Sequence, residues 1–299
     1  MNSEGIAEAC YSCVLNQART AAKYAQISEK QTAALLSRVQ SELQTSAEKG
    51  IVVQHIIRNV ADVIIELKNA DPQFDIYQEV KRRSNTLAKA YAKELQQQIN
   101  SSSSPLDTAI QISAAGNIID FGAKNHGDLD LDVEMQQLQT IKFNHYDIDA
   151  FRAHLMTAKN MLYICDNAGE IVFDKLLIQC LQKNYPQLQI TAAVRHKPII
   201  NDATLADAAE VGLKDVVKVI SSGSVYPGTI LREASTQFKQ LYADADLIIA
   251  KGQGNFETLL PIVEEKLFFL LRIKCEQMAS LSAVAKGSLV LMQGKQNKG

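Results

Sequence analysis

The sequence predicts an α/β protein in which a helical N-terminal domain precedes a Rossmann-like domain with a mainly parallel sheet. Up to about residue 100, segments rich in Ala, Leu, Gln, Glu and Lys carry apolar residues at helical spacing. After about residue 155, short apolar runs alternate with helical stretches, which is typical of parallel strands covered by helices on both faces. We therefore expect a helical domain over residues 1–150 and a Rossmann-like domain over residues 151–299.

The N-terminal helices follow from apolar periodicity and from a start signal. Lys30–Glu48 and Thr86–Ile99 have the composition of helices. Another segment shows one apolar stripe at helical spacing, made of Val52, Ile56, Ile57, Val60, Val63, Ile64 and Leu67. A run of serines leads into Pro105. Because proline suits the first helical position, we expect a helix from Pro105 toward Ile118 rather than a linker.

Five short apolar runs in the second half of the chain are predicted to be strands. Most of them are rich in Val, Ile and Leu, and they are Met161–Cys165, Ile190–Val194, Val216–Ile220, Leu247–Ala250 and Ser288–Met292. Polar, charged or glycine-rich loops follow the first four runs. Because ligands of an open parallel sheet bind beyond the carboxyl ends of its strands, these four loops are the predicted site.

Composition argues against several classes of protein. The chain has 31 basic and 33 acidic residues and no tryptophan, so neither a basic surface nor aromatic stacking indicates a nucleic-acid partner. The apolar segment Leu259–Ile273 is interrupted by Glu264, Glu265 and Lys266 and is too short to span a bilayer, so we expect no membrane partner. Five scattered cysteines and the absence of a signal-peptide pattern favour the reducing cytoplasm.

The first two loops carry oxygen ligands. Asp166 and Asn167 directly follow the first predicted strand, and Asp202 lies in the loop after the second. Carboxylate and amide oxygens suit a hard divalent cation such as Mg²⁺ or Mn²⁺. An Asp-Asn pair after a strand is also a common turn or helix cap, so a metal site is one of two explanations for these residues.

The third and fourth loops carry groups that suit a phosphate. Ser222 and Gly223 follow the third strand, and Lys251 with the glycines beside it follows the fourth. An ammonium group and unobstructed backbone N–H groups are typical phosphate donors, although a solvated lysine in a strand-to-helix turn is the alternative. A metal and phosphate donors in one crevice would indicate phosphoryl chemistry.

Other polar residues have ordinary structural explanations. Glu170 and Asp174 share a helix face at i, i+4, which is compatible with a solvated surface. Cys10 and Cys13 form a single Cys-x-x-Cys in a helical stretch, so we expect buried structural thiols rather than a zinc or redox site. The sequence contains no complete Gly-x-Gly-x-x-Gly, Walker A or Gly-x-Ser-x-Gly pattern.

Seven short segments, taken in their order along the chain, carry a resemblance to one family. They are Cys10–Cys13, Asp75–Asn85, Ala115–Gly122, Cys165–Asp174, Pro198–Thr204, Ser222–Thr229 and Lys251–Glu257. On these segments the sequence resembles the damage-control phosphatases, a family of metal-dependent enzymes long catalogued as a domain of unknown function. It is most similar to the short microbial branch with an N-terminal Cys-x-x-Cys. The sequence departs from the family at Ile76, where a proline is usual.

The resemblance implies a fold and a set of site residues. It implies a helical domain that forms one wall of a cleft against a Rossmann-like core. It assigns a divalent cation, which is Mn²⁺, Mg²⁺, Co²⁺ or Ni²⁺ in the family, to Asp166, Asn167 and Asp202. The residues that it implies for the phosphate and the rest of the substrate are Asn117, Asp120, Lys251, Asn255 and Lys274.

The expected function is hydrolysis of phosphate monoesters of small metabolites, such as sugar phosphates or damaged phosphometabolites. Lys251, Ser222 and backbone N–H groups would hold the phosphoryl oxygens that the cation does not contact. Either a metal-bound water attacks the phosphorus, or Asp166 forms an aspartyl phosphate. Two alternatives from other classes are a non-catalytic nucleotide- or phosphate-binding protein and a methyltransferase with a Rossmann-like core.

Overall fold

The computed structural model describes residues 6–116 and 142–294 of the chain. The chain forms two compact units. The smaller unit contains the residues up to Gln78 together with two short segments, Lys197–Ile200 and Val225–Pro227, and the larger unit contains the rest. The two-domain division at residue 150 stays a prediction, whereas the compact units divide the first part of the chain at Gln78.

The described part of the smaller unit contains four helices. They are α1 (Glu8–Ala25), α2 (Glu29–Gln44), α3 (Ser46–Lys49) and α4 (Val53–Leu67). Helix α2 begins at a capping box, in which Ser28 and Gln31 each accept the backbone N–H of the other. The apolar stripe predicted for α4 is buried at Ile56 and Ile64, but its end residue Leu67 is 41% exposed. The central turns of the stripe therefore pack in the core.

The larger unit alternates helices with strands. Its described helices are α5 (Gln78–Ser101), α6 (Pro105–Ala115), α7 (Ile148–Thr157), α8 (Glu170–Asn184), α9 (Leu205–Glu210), α10 (Thr236–Asp244), α11 (Gly252–Leu259) and α12 (Glu276–Ser282), with a 3₁₀ turn at Leu231–Glu233. Its described strands are β1 (Phe143–Tyr146), β2 (Asn160–Ile164), β3 (Gln189–Val194), β4 (Lys218–Ser221), β5 (Leu247–Lys251), β6 (Glu264–Arg272) and β7 (Leu289–Gly294). Helix α6 begins at Pro105, as predicted.

The strands form one sheet in the order β1-β7-β6-β5-β2-β3-β4. Neighbouring strands run parallel except β6 and β7, which are antiparallel. From β2 the chain moves outward through β3 to β4, and it then returns to the other side of β2 as β5. The strand order therefore reverses between β2 and β5, and ligands of such sheets bind beyond the carboxyl ends of the strands at this reversal.

The predicted fold class, a mainly parallel Rossmann-like sheet after a helical N-terminal part, is confirmed. The five predicted runs correspond to β2, β3, β4, β5 and β7. Strands β1 and β6 have no counterpart among those runs. Strand β6 opens with Glu264, Glu265 and Lys266 and only then continues as the fully buried run from Leu267 to Leu271. Its charged first residues interrupt the pattern of short apolar runs between helical stretches from which the other strands are predicted.

Apolar side chains from helices cover both faces of the sheet. Phe151 of α7 and Phe173 of α8 belong to the core on one face, whereas Phe238 of α10 belongs to the core on the other. Successive strand residues alternate between the faces, so Phe268 joins the first core and Phe269 the second. Within the described ranges, no helix is long and apolar enough to cross a membrane.

Candidate active site

The three predicted oxygen ligands lie together beyond the carboxyl ends of β2 and β3. Asp166 and Asn167 follow β2, and the backbone of Asn167 pairs with that of Asp202 in an antiparallel bridge. Two further backbone bonds flank this bridge. The Ala203 N–H donates to the Asp166 carbonyl at 2.7 Å, and the Ala168 N–H donates to the Asn201 carbonyl at 2.9 Å. The fold therefore brings both carboxylates to one place in the larger unit.

Gly252, the first residue of α11, lies against the Asp166 carboxyl group. Its φ is +76°, and a Cβ atom built on it would come within 1.8 Å of Asp166 Oδ2. A side chain at this position would have to displace the carboxyl group, and the backbone conformation is one that glycine adopts without strain. The turn between β5 and α11 thus leaves room for Asp166 only because residue 252 has no side chain.

Arg195 connects four segments of the site with one guanidinium group. It follows β3 and is 1% exposed. Its Nε donates to Asp202 Oδ2 at 2.6 Å, and its Nη1 donates to Thr229 Oγ1 at 3.0 Å. Its Nη2 donates to Asn255 Oδ1 at 3.0 Å and lies 3.8 Å from Asp166 Oδ1. These partners come from the segments that follow β2, β3, β4 and β5.

Lys251 is fully buried in a cluster of charged and polar groups. Its Nζ donates to Glu170 Oε1 at 2.6 Å, to Asp174 Oδ1 at 2.6 Å and to the Ser113 carbonyl at 3.0 Å. The Asp174 oxygen also accepts bonds from Ser113 Oγ at 2.7 Å and from the Tyr163 hydroxyl at 2.8 Å. The expectation of a solvated face at Glu170 and Asp174 is wrong, because both side chains are buried and paired with Lys251.

Asn167 links this buried cluster to Asp166. Its Nδ2 donates to Asp166 Oδ2 at 2.9 Å and to Glu170 Oε2 at 3.3 Å. A continuous chain of polar contacts therefore runs from Asp166 through Asn167 and Glu170 to Lys251. Because Lys251 Nζ already donates to three internal acceptors, its contact with a phosphate stays a prediction that would require one of these bonds to break.

The buried acids of the site have perturbed pKa values. Burial raises the pKa of Asp166 well above its usual value, and nearby Asp202 and Glu170 raise it further, against a smaller opposing effect of Arg195 and Lys274. Burial also raises the pKa of Asp202, although the guanidinium of Arg195 partly offsets this.

A similar balance acts around Lys251. Burial raises the pKa of Asp174 more than the neighbouring ammonium of Lys251 lowers it. Burial alone would lower the pKa of Lys251, but the carboxyl groups of Asp174 and Glu170 outweigh it and raise the pKa of the ammonium. Lys251 is therefore charged at neutral pH.

Two buried residues of α5 hold the loops that carry the acids. Asn85 Oδ1 accepts the backbone N–H of Gly169 at 2.7 Å, just before α8 begins. Lys81 Nζ lies 2.7 Å from Asp207 Oδ2, and the same oxygen caps the start of α9 by accepting the Thr204 N–H at 2.8 Å. The N–H group of Gly169, the residue before α8, therefore has an internal acceptor.

The serine-glycine loop after β4 is largely bonded to itself and to its neighbours. The Ser222 N–H donates to the Val194 carbonyl at 2.8 Å, and the Gly223 N–H donates to Ser221 Oγ at 3.1 Å. Ser222 is fully buried. Asn255 is fully buried as well, and its Nδ2 donates to the Lys251 carbonyl at 2.7 Å. The predicted phosphate contacts of Ser222 and Gly223, and the substrate contact of Asn255, stay predictions.

Comparison with known proteins gives the family. The sequence model of the damage-control phosphatase ARMT1-like domain matches residues 6–290. The chain belongs to this family. A damage-control phosphatase of Pyrococcus horikoshii is 36% identical over 229 residues, which are 77% of this chain and 77% of that protein. A damage-control phosphatase of Archaeoglobus fulgidus is 28% identical over 290 residues, which are 95% of this chain and 98% of that protein.

Two further comparisons cover nearly the whole length. An uncharacterized protein of Methanocaldococcus jannaschii is 33% identical over 301 residues, with 95% of this chain and 94% of that protein covered. A crystal structure of a DUF89 family protein from Pyrococcus horikoshii superimposes with a TM-score of 0.85 at 30% identity, covering 98% of this chain and 100% of that one. The damage-control phosphatase fold thus extends over both compact units.

The remaining predicted residues of this damage-control phosphatase have different positions. Asn117 and Asp120 lie outside the described residues. Lys274 is exposed, its backbone N–H donates to Gln253 Oε1 at 3.2 Å, and its charge lowers the pKa of Asp166. Cys10 is half-buried and Cys13 is exposed on α1, so the expectation of two buried thiols is wrong. These thiols lie in the smaller unit.

Arg195 is not among the site residues predicted from the sequence, and Glu170, Asp174 and Asn85 have no predicted site role. Arg195 stands directly after a predicted strand, and its position there was the one available signal. The contacts of Glu170 and Asp174 with Lys251 span 81 and 77 residues of the chain. Contacts at such separations do not follow from the spacing of residues in one sequence.

Proposed function

We propose that this damage-control phosphatase is a metal-dependent enzyme that hydrolyses phosphate monoesters of small metabolites. The observation that carries the proposal is an excess of buried acid. Among the described residues, five buried acids, Asp166, Asp202, Glu170, Asp174 and Asp207, stand against the three buried cationic groups that pair with them, those of Arg195, Lys251 and Lys81. With all eight groups ionised, this part of the site lacks two positive charges, and a divalent cation would supply them.

The donor set fits a hard cation. Asp166 and Asp202 provide carboxylate oxygens, and Asn167 provides an amide oxygen, since its Nδ2 is used by two carboxyl groups. No group of three or more His, Cys, Asp and Glu side chains with metal-site geometry occurs in the described ranges. The proposed set has two carboxylates and one amide, which suits a cation that keeps several waters and binds substrate oxygens. Mn²⁺, Mg²⁺, Co²⁺ and Ni²⁺ are the candidates.

A bound cation would act as a Lewis acid on a phosphoryl oxygen and would lower the pKa of a bound water. The protein residues have separate tasks. Arg195 fixes the orientation of Asp202 through its bond from Nε. Lys274, which is exposed and whose charge reaches Asp166, would contact the phosphate. Lys251 would position Glu170 rather than touch the substrate, because its three donors are occupied internally.

Asp166 fits the role of a ligand better than that of a covalent nucleophile. Its Oδ2 accepts a bond from Asn167 and packs against Gly252, while its Oδ1 faces Arg195 at 3.8 Å. A nucleophilic carboxylate needs one oxygen that is open to the phosphorus, and the contacts of Asp166 leave little room for that approach. We therefore favour attack by water. A binding protein without catalysis is the second candidate.

A metal-by-substrate screen tests the proposal. Phosphate release from a panel of sugar phosphates and other phosphometabolites would be measured after chelation and re-addition of each metal. The wild type should release phosphate only with a divalent cation. Asp166→Asn should weaken Mn²⁺ binding about tenfold or more, because it removes one charge at constant volume. Asp149→Asn is the matched control, since the Asp149 side chain is 99% exposed.

The outcomes separate the two candidates. Turnover that survives complete chelation would refute the metal requirement. Tight binding of phosphate esters by the wild type, with no phosphate release under any metal, would favour the binding protein instead.

A further inference from the structure

Ile200 has a backbone conformation that β-branched residues rarely adopt. Its φ is +37°. The other described non-glycine residues with positive φ are Gln26, Asn69 and Ala283, which stand at or just after the ends of α1, α4 and α12. Left-handed residues are common at helix ends. Ile200 follows no helix, and it directly precedes Asn201 and Asp202. A β-branched residue at positive φ is strained, and it keeps that conformation only where its surroundings hold it there.

The surroundings that hold Ile200 belong to the smaller unit. Its side chain packs against the apolar core of that unit, and the adjacent Ile199 is 2% exposed. Pro198, Ile199 and Ile200 line a cavity of about 20 Å³, which has room for roughly one water and not for a metabolite. Arg58 of α4 is buried, and its Nη1 donates to the Pro198 carbonyl at 3.3 Å. Side-chain packing and one hydrogen bond therefore fix the segment that ends at Ile200.

The residues directly after Ile200 belong to the larger unit and pair with the Asp166 loop. The Asn201 carbonyl accepts the Ala168 N–H, and the Ala203 N–H donates to the Asp166 carbonyl. Between these two bonds lies the bridge of Asn167 with Asp202. Ile200 thus ends a segment of the smaller unit, and Asn201 begins the segment of the larger unit that pairs with the Asp166 loop. The direction in which the chain leaves Ile200 decides whether Asp202 reaches Asp166.

We propose that Ile200 is a positioning residue for Asp202. Its positive φ directs Asn201–Ala203 onto the Asp166 loop. The packing of its side chain in the smaller unit holds residue 200 in that backbone conformation. The part of this role that concerns the cation rests on the proposed function of Asp202 as a metal ligand. The pairing of the loops is independent of that function.

The identity of the side chain is part of the argument. Glycine would adopt the same φ without strain, so the conformation alone gives no reason for isoleucine. What isoleucine adds is the packing of its side chain against the core of the smaller unit. The strain is maintained because that packing restricts residue 200 to one conformation, whereas glycine would sample several.

The experiment compares Ile200→Gly with the conservative variant Ile200→Val in the full chain. The first readout is amide hydrogen exchange of the metal-free protein at Ala203 and Ala168, with Cys165, whose N–H donates to Ala193 in the β2–β3 ladder, as the internal reference. In Ile200→Gly the Ala203 and Ala168 amides should exchange about tenfold faster, while Cys165 stays unchanged. Ile200→Val should retain the protection of the wild type, because it keeps the branched side chain.

The second readout is the dissociation constant for Mn²⁺, measured by calorimetry. Ile200→Gly should bind Mn²⁺ about tenfold more weakly, as expected when a residue that orients a ligand is lost. A merely structural role would lower the melting temperature and leave both the local exchange and the affinity as they were.

A second pair of variants keeps the test decisive if Ile200→Gly does not fold. Arg58→Met removes the hydrogen bond to the Pro198 carbonyl and keeps an unbranched side chain. Asp62→Asn removes only the charge of the exposed side chain that pairs with Arg58. Exchange at Ala203 should rise in Arg58→Met and not in Asp62→Asn. Unchanged exchange in both Ile200→Gly and Arg58→Met would overturn the inference. A wild type that binds no Mn²⁺ but shows the predicted exchange would overturn the proposed function and support the positioning role.

Discussion

At the scale of single residues, the site depends on what surrounds the Asp166 carboxyl group. Asn167 donates to it, Arg195 faces it, and Gly252 leaves the space that it occupies. Each contact comes from a different kind of feature: a neighbouring side chain, a buried cation and a missing Cβ atom. The position of Gly252 can be tested separately, because another glycine has a similar backbone conformation in open surroundings.

Gly252→Ala should reduce turnover by about 10²-fold or more, because displacement of a reacting-site group by an ångström can cost that much. Gly287→Ala is the matched control. Both glycines have positive φ, but a Cβ on Gly287 would lie 3.9 Å from Arg272 Nη2, which is an ordinary van der Waals distance. Both variants should lose about 1 kcal/mol of stability from the backbone strain. Melting curves and steady-state kinetics measure the two effects, and equal turnover in both variants would contradict the steric role of Gly252.

The two N-terminal thiols should be dispensable for hydrolysis. Cys10 and Cys13 lie on α1 in the smaller unit, and Cys13 is exposed. The double variant Cys10→Ser, Cys13→Ser should keep its turnover within about twofold, because neither residue follows a strand of the sheet. Turnover that falls further and recovers with added zinc or reductant would show that the thiols have a role.

Single residues also show what one sequence can and cannot predict. Asp166, Asn167 and Asp202 are predicted from the sequence because they follow strands, and strand ends follow from apolar runs. Arg195 and Glu170 were not given site roles, because a charged side chain at the end of a strand or the start of a helix has the same local pattern whether it is buried or solvated. Only the packing of distant segments decides which of these applies.

At the scale of elements, the buried ammonium group of Lys251 connects β5 with α6 and α8. Lys251 ends β5, Glu170 and Asp174 lie on α8, and Ser113 lies on α6. Such a cluster is costly to break from one side, because the remaining charges stay buried without a partner. The cluster therefore holds these three elements in one arrangement behind the Asp166 loop.

Lys251→Met should destabilise the protein by about 3–5 kcal/mol, because it leaves two buried carboxyl groups without their cation. Adding Glu170→Gln should recover part of that loss, since one of the uncompensated charges disappears. Urea denaturation of the two single variants and the double variant measures the coupling. Arg82→Met, which removes an exposed pair with Glu79, should cause no measurable change. Additive effects of Lys251→Met and Glu170→Gln would mean that the two side chains do not interact in solution.

The strands also differ in how well they can be predicted from the sequence. The central strands β2, β3 and β5 were predicted because both of their faces are apolar. Strand β6 lies next to β5 and is as deeply buried in its second half, yet its first residues are charged. Because the apolar run begins inside the strand, the sequence has no periodic pattern that marks the true start of β6. The start and the register of β6 therefore follow only from the structure.

At the scale of the whole molecule, the excess of buried acid makes stability depend on pH. Burial raises the pKa of Asp166, Asp202 and Asp174 in the folded protein above the usual value near 3.8. The folded state therefore binds more protons than the unfolded state between that value and the raised pKa values. Stability must then fall as pH rises through this window, which is the reverse of the behaviour of a salt-bridged acid.

The metal-free protein should accordingly be more stable at pH 5 than at pH 8, as measured by urea denaturation. The raised pKa of Lys251 does not alter this expectation, because its contribution is complete below 10.5. Saturating Mn²⁺ should reduce the difference, since a cation stabilises the ionised acids and its binding releases protons. Stability of the metal-free protein that rises from pH 5 to pH 8 would contradict the excess of buried acid.

The smaller unit is discontinuous in sequence, and this has a consequence for how the protein is made. Helices α1 to α4 emerge from the ribosome first, but their unit also needs Lys197–Ile200 and Val225–Pro227. Synthesis must therefore proceed from Gln78 to Pro227, about 150 residues, before the unit has all its parts. At typical rates of 5–20 residues per second this takes roughly 8–30 s. For that interval the apolar core of α1, α2 and α4 lacks the side chain of Ile200, which packs against it, so this part of the core closes only after Ile200 has been synthesised.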